Sequence, residues 1–530
     1  MSDQFSDLQV VRKPAIRCKG GIVAAQSRKA AKIGAEVLAA GGDCVDAAIS
    51  TGFALGVLEP WMSGIGGGGA MVLYRAREDR LEVIDYGARA PGSLRREDYP
   101  IVEGAASDIF PWPRVKDDRN IVGPTSIAVP GVVAGLEMAH QRHAKMPWKD
   151  LLAPSIGLAG EGLLVDWWTT LHITSSVAEL RKYPASAAAY LRDGLPPNPQ
   201  WGVRSTVRLP QEGLKATLAH LALAGARDFY DGDLAKSIAA DVQAAGGALS
   251  ASDLAAYRAH LKQPLEIPYR AGMVYATPEL TAGPTLAQVL RLLQKDLRVD
   301  RASLELAAIY AAYARALQAA YRERLKHMGD ADGRRTLGAE ELAPSCTTHY
   351  SVVDREGNMA AVTQTLLSTF GSKFVTPTTG ITMNNGIMWF DPTPRMPNSL
   401  APGKRCLSNY TPVVARTADR KMLALGASGG RRILPAVAQL LSFVMDFGMD
   451  LDAAIHQPRI DASEGNIVIA DIRLPREVRD VLRAQFDYEE ARVQHYPGKF
   501  AFPSLVLRDG TINFGATQIF HPWADVVAED

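Results

Sequence analysis

Between residues 30 and 58, Ala, Leu and Val recur at helical spacing, and the pattern breaks at Gly41-Gly42. A glycine pair can end one helix and Asp43 can cap the next, so a helical hairpin is predicted. After it the period changes. A glycine run leads into AMVLYRA and LEVIDY, whose Val, Ile and Tyr suit paired strands over residues 66–86. Residues 128–335 are mainly helical in pattern, with Ser250 and Asp253 forming a capping box before LAAYRA. The stretch KHMGDADGRRTLGAEELAPSC, 326–346, is polar and keeps no period, as a mobile surface segment would.

Alternation starts immediately after that stretch. TTHYSVVDREGNMAAVTQTLL reads as two strands around Arg355-Glu356-Gly357, a three-residue loop whose glycine falls where a left-handed residue is needed. With Asp354 opposite Asn358, counting outward sets Thr347 opposite Thr365, and a bulge would shift that register by one residue. Helices, strands, helices and then a strand pair predict a layered α+β fold, with sheets packed inside helices in one compact unit.

Composition narrows the class. The chain has 530 residues, 47% hydrophobic and 22% charged, which suits a globular protein with a sizeable core rather than a disordered or fibrous one. Lys and Arg number 58 against 57 Asp and Glu, so no net field gathers nucleic acid or an anionic membrane, and a small-molecule partner is expected. MSDQFSDLQVVRKP lacks the apolar core of a secretory signal, and no run of about 18 apolar residues could span a bilayer, so a cytoplasmic location is expected. Cys18, Cys44, Cys346 and Cys406 form no CxxC pair and are expected to be reduced. Cys346 and His349 have ligand-like spacing without further ligands, so neither metal nor cofactor is expected.

Three motifs invite chemistry. Gly64-Ile65-Gly66-Gly67-Gly68-Gly69 satisfies a dinucleotide fingerprint, but a helix-like segment precedes it and a strand follows, the reverse of what that site requires. A tight turn with close backbone approach is the better reading. Ser428-Gly429-Gly430 precedes the apolar run ILPAVAQLLSFVMDF; Ser428 could cap that helix while glycine amides face an anion or oxyanion. Gly426-Ala427-Ser428-Gly429-Gly430 is also a formal GxSxG, with Asp446 and His456 following in hydrolase order, yet the repeated βα alternation of that fold is missing. His349 fits no metal or catalytic histidine pattern.

These blocks together resemble the γ-glutamyltransferase family. GGIVAAQSRKAAKIGAEVLAAGGDCVDAAISTGFALGVLEPWMSGIGGGGAMVLY is similar to that family's opening. TSIAVPGVVAGLEMAH, FYDGDLAKSIAADVQAAGGALSASDLAAY, TTHYSVVDREGN, TQTLLSTFG, MNNGIM and GASGGRRI continue in family order. The resemblance implies a four-layer αββα N-terminal-nucleophile hydrolase sandwich that cleaves itself between Cys346 and Thr347. Residues 1–346 would form the large subunit and 347–530 the small one, held together as one heterodimer or as a dimer of heterodimers. Thr347 would be the nucleophile, Thr365 its hydrogen-bonding partner, and Gly429 and Gly430 the oxyanion hole. The chemistry agrees: a hydroxyl nucleophile needs a base, and a freed α-amine, with a reference pKa of about 7.7 to 8.0, can supply it.

The family's γ-glutamyl pocket is changed here. Gly87 occupies the usual arginine position, with Arg89 two residues on as its replacement. Leu367 stands where an asparagine is expected, and Gly386 and Trp389 where glutamine and aspartate are. Ser408 matches the first of a serine pair and Asn409 replaces the second. Carboxylate ligands survive and ammonium ligands do not. Each charged hydrogen bond lost is worth about 1.5 to 3 kcal/mol, so a short carboxylate-bearing amide is expected as substrate. Among family members, those hydrolysing oxamate in purine breakdown fit that description best; a glutathione-type γ-glutamyltransferase and a cephalosporin or glutaryl acylase are the alternatives. The short loop DPTPRMPNSLAPGKR is expected to leave the pocket mouth open.

Overall fold

The glycine pair and the capping aspartate divide the first helical stretch as predicted. Helices run over Arg28–Ala39 and Cys44–Leu58, and Gly41 between them takes φ +95°. Asp43 accepts from the Val45 and Asp46 amides, Asp46 closes the capping box, and Arg75 pairs with Asp43 at 2.8 Å, tying the helix start to the neighbouring strand. The second helix is buried on almost every side, as a helix lying between a sheet and an outer helical layer must be. The protein is described from a computed structural model covering residues 10–105, 112–199, 206–297, 305–330, 345–494 and 498–529.

Two seven-stranded sheets form the centre. In the first, the strands Asp525–Ala528, Ile22–Ala25, Ser345–Val353, Met359–Ser368, Gly68–Arg75, Arg80–Tyr86 and His260–Lys262 lie side by side in that order. In the second the order is Ile16–Cys18, Ile512–Thr517, Phe502–Asp509, Met422–Ser428, Val413–Arg416, Gly272–Ala276 and Leu265–Tyr269. All neighbouring pairs within both sheets are antiparallel.

Strand alternation sorts the side chains into layers. Ile22, Ala24, Val353, Met359 and Ala361 meet Val414, Ala424 and Val506 of the other sheet in an apolar seam. The opposite faces carry Val23, Tyr350, Val352 and Val362 against the N-terminal helices, and Leu423, Leu425 and Leu505 against helices that include Leu306–His327 and Ile433–Met445. The result is the α/β/β/α sandwich expected of the sequence.

Three short strands, His260–Lys262, Leu265–Tyr269 and Gly272–Ala276, interrupt the block predicted to be mainly helical. They sit at or next to sheet edges, where a strand can be brief and can hold Pro268, so period-2 alternation never builds up. The Ser250–Asp253 capping box forms as predicted. Of the polar stretch 326–346, a helix runs through His327 and a strand begins at Ser345; residues 331–344 lie outside the described residues. Among the described residues, no helix is long and apolar enough to cross a membrane.

Candidate active site

The hairpin holds its predicted register for most of its length and changes it at one place. Val353 faces Met359 and Thr348 faces Gln364, as counting requires, but Cys346 faces Leu367, so a bulge falls between Cys346 and Thr348. The extra residue lies on the Met359–Ser368 strand, where Thr365 and Leu366 together oppose Thr347. Gly357 takes φ +88° in the turn. A bulge disrupts the ladder locally and re-aims the bulged strand's side chains; Thr365 stays within reach of Thr347, Oγ1 to Oγ1, at 3.2 Å.

Thr365 joins three groups. Its oxygen accepts from the Thr347 hydroxyl and, at 2.8 Å, from the Leu367 amide, while its own proton goes to the Cys346 carbonyl at 2.5 Å. That carbonyl belongs to the peptide bond preceding Thr347. A donated hydrogen bond draws electrons toward the carbonyl oxygen and makes the carbon a better electrophile. Cys346 Sγ lies 2.9 Å from Thr369 Oγ1, and all four cysteines are free thiols. Thr347 is only 3% exposed in the unbroken chain.

From the other sheet, the Met422–Ser428 strand ends in Gly429 and Gly430, at φ +133° and +59°. A Cβ on Gly429 would stand 3.0 Å from Ala501 Cα. The Gly430–Arg432 turn packs against the strand that carries Thr347. Ser428 does not cap the following helix, whose N-cap is Arg432; its hydroxyl accepts from Gln26 Nε2 instead. Asp446 is held by Tyr269 and Arg270 at 2.6 and 2.8 Å. His456 accepts from the Lys13 amide at 3.2 Å. Neither joins Ser428, so the GxSxG reading falls. The glycine run at 64–69 proves to be close packing: a Cβ at Gly67 would stand 2.4 Å from the Thr365 carbonyl oxygen.

His349 lies between the sheets, fully buried, with Nδ1 2.9 Å from Thr363 Oγ1 and Nε2 3.0 Å from Ser351 Oγ. Burial lowers its pKa to about 3, so it is a neutral, satisfied polar group rather than a base.

The predicted pocket residues divide into three sets. Leu367 and Trp389, 1% and 3% exposed, pack in one apolar cluster with Ala88, Cys406 and Tyr410; the Trp389 and Tyr410 rings are 5.5 Å apart. Arg89, Gly87 and Ser408 line one cavity of about 160 Å³ with Arg258 and Arg405. There the Arg89 guanidinium is exposed and donates to the Gly403 carbonyl. Ser408 and Asn409 are backed by Arg324, which is fully buried; it gives its protons to the Ser408 carbonyl, Asn409 Oδ1 at 3.3 Å and the Thr281 carbonyl at 2.9 Å. Burial lowers the Arg324 pKa to about 10. Arg431 is buried over the Tyr321 ring at 5.4 Å and does not face solvent. Within the 391–405 loop the Leu400 amide donates to the Asp391 carbonyl and the Asp391 amide to the Asn398 carbonyl, and Asp330 accepts from the Arg405 amide at 3.1 Å.

Sequence reading passed over Gln26, Glu59 and Thr348. Thr348 donates to Gln26 Oε1 at 2.9 Å, and Glu59 Oε2 lies 3.4 Å from the same hydroxyl. A carboxylate closing a largely apolar, buried helix, and a glutamine ending the apolar strand IVAA, were the available signals. Asn384 was passed over too; it bonds the Gly66 carbonyl at 2.7 Å and the Ala128 amide at 3.0 Å, tying the glycine turn to the MNNGIM block.

The layer order and the facing of Thr347 and Thr365 define an N-terminal-nucleophile hydrolase fold, and a cephalosporin acylase from Bacillus halodurans shares it, with a TM-score of 0.85 over 100% of this chain and 99% of that one at 24% identity. The chain belongs to the gamma-glutamyltranspeptidase family, whose model matches residues 30–344 and 334–501. It is 32% identical over 512 residues to the acylase ACY 1 proenzyme of Pseudomonas sp. (strain V22), covering 91% of this chain and 89% of that protein. To the glutathione hydrolase proenzyme of Escherichia coli (strain K12) it is 28% identical over 487 residues, 84% and 81% of the two chains.

Proposed function

We propose that this family member cleaves itself before Thr347 and then hydrolyses amides whose acyl part carries a second carboxylate and no α-ammonium. The burial of Leu367 and Trp389 together in one apolar cluster carries this reading, because these are the positions where the resemblance expects ammonium ligands. In maturation the Thr347 hydroxyl attacks the Cys346 carbonyl carbon, the C–N bond breaks, and the nitrogen takes a proton to become the Thr347 amine. Water then hydrolyses the ester. In turnover that amine takes the hydroxyl proton as the oxygen attacks the substrate amide, and passes it to the departing ammonia or amine; water then cleaves the threonyl ester, releasing the acid and restoring the hydroxyl. The glycine amides at 429 and 430 receive the negative oxygen. Ser408, Asn409 and Arg89 are the proposed carboxylate ligands, and no cofactor is required.

Oxamate is the smallest substrate of this description and our first choice. A second reading, an acylase taking a longer dicarboxylic acyl group such as glutaryl, is favoured by the similarity to acylase ACY 1. Purified protein, analysed by intact mass and assayed for ammonia from oxamate beside glutaryl- and γ-glutamyl-p-nitroanilide, separates them. Cleavage before Thr347 with turnover of oxamate or the glutaryl amide, both lost in Thr347→Ala, is expected. Dominant γ-glutamyl turnover would overturn the acyl-group reading, and an uncut, inactive wild type would overturn the nucleophile.

A further inference from the structure

Directly behind the nucleophile, a buried polar chain crosses from one sheet to the other. It starts at Glu59, which has no exposed surface, passes through Thr348, next to Thr347, and through Gln26, and ends at Ser428, next to Gly429. Resting on the reading of Thr347 and the glycine turn above, we propose that Glu59 is a positioning residue that works as a neutral acid. It donates to Thr348 and so fixes the direction of the hydrogen bonds linking the nucleophile's strand to the root of the oxyanion turn.

Proton counting leads there. Gln26 Nε2 donates to Ser428 Oγ, so the amide oxygen faces Thr348 and can only accept. Thr348 has one hydroxyl proton and gives it to that oxygen. Its own oxygen then faces Glu59 Oε2 at 3.4 Å, a repulsive pair of acceptors unless Glu59 carries a proton. Among the described residues, no neighbour supplies compensating charge. His521 Nε2 stands 3.9 Å from Glu59 Oε1, but its Nδ1 accepts from the Trp523 and Ala524 amides at 3.3 and 3.0 Å, so the ring is neutral. His172, stacked on Trp61 at 5.0 Å, is kept neutral by burial, its pKa lowered to about 3. Behind His521, Lys13 gives its ammonium protons to the Gln518, His521 and Ala524 carbonyls. Burial raises the Glu59 pKa to about 8.

Ionisation of Glu59 would reverse the chain. The carboxylate could only accept, Thr348 would donate to it, the Gln26 amide would have to turn, and Ser428 would have to donate to Gln26. Every bond up to the glycine turn changes direction.

The test compares wild type, Glu59→Gln, which keeps a donor at every pH, and Glu59→Leu, which removes it. With oxamate or glutaryl-p-nitroanilide, wild-type kcat is expected to fall about tenfold per pH unit above about pH 8 to 9, with KM little changed. Glu59→Gln is expected to lose that alkaline limb, and Glu59→Leu to be slower at every pH. Independently of turnover, the melting temperature of wild type should drop relative to Glu59→Gln as pH rises from about 4.5 to 8, and then run parallel. The folded acid holds a proton that the unfolded chain, with a glutamate pKa of about 4.3, has already released. An alkaline limb retained in Glu59→Gln, or a melting difference flat with pH, would overturn the proposal. An uncut, inactive wild type would instead overturn the nucleophile reading, and the melting comparison would still decide the state of Glu59.

Discussion

Thr365 takes a hydrogen bond from the hydroxyl proposed to attack and gives one to the carbonyl proposed to be attacked. Replacing it with valine keeps its shape and removes both. We expect Thr365→Val to slow self-cleavage about 10²- to 10³-fold, the cost of one oxyanion donor, followed as precursor loss by intact mass, with Thr365→Ser restoring most of the rate. Leu367 offers a second test at this scale. It adopts φ +87°, a conformation that asparagine tolerates better than leucine. Leu367→Asn together with Trp389→Asp should therefore fold and should raise γ-glutamyl-p-nitroanilide turnover relative to oxamate; no change in that ratio would show that ammonium recognition is not what these positions control. The threonine pair was legible because both lie within one hairpin, where counting suffices. Glu59 and Gln26 were not, because their shared partner Thr348 lies about 290 and 320 positions away along the chain, and only the folded sheets bring them together.

Among elements, the turn after the Met422–Ser428 strand has little freedom. Gly429 at φ +133°, with Ala501 backbone where a Cβ would go, admits no other residue without strain of about 1 to 3 kcal/mol. Gly429→Ala is expected to lower the urea midpoint by a corresponding amount and to lower kcat more than KM rises, since the displaced amide is needed only when the oxyanion forms. A stable variant with unchanged kcat would remove this turn from the oxyanion hole. The helix start at Asp43 makes a structural contrast. Asp43→Ala removes the cap and leaves Arg75, side chain 15% exposed, without its carboxylate, so it should cost about 2 to 4 kcal/mol in denaturant unfolding, above the ~1 kcal/mol of a cap alone. Helix ends of this kind were legible because local residues decide them. The bulge opposite Thr347 was not: the extra residue lies on the Met359–Ser368 strand and shows only as a mismatch between two ladders, Thr348 with Gln364 and Cys346 with Leu367.

At the scale of the molecule, the proposed cut would separate the chain without separating the fold. In the first sheet, Ile22–Val353 and Thr365–Gly68 are cross-strand pairs joining residues before 346 to residues after 347. In the second, Ile16–Gly515 and Val274–Ala415 do the same. The apolar seam between the sheets likewise takes Ile22, Val72 and Val83 from one piece and Val353, Ala424 and Val506 from the other. The layer architecture could be inferred from the order of patterns along the chain, but this interleaving could not, because hydrophobic period names a strand and not its neighbour. Its consequence is measurable. Cleaved protein should run as two bands under denaturing conditions and elute with the uncleaved Thr347→Ala chain on size exclusion, and neither piece expressed alone should give a soluble folded product, since each would expose half of both sheets' cores. Separation of the pieces at neutral pH without denaturant would contradict the pairing, because hydrogen-bonded ladders in two sheets and one shared apolar seam would all have to part at once.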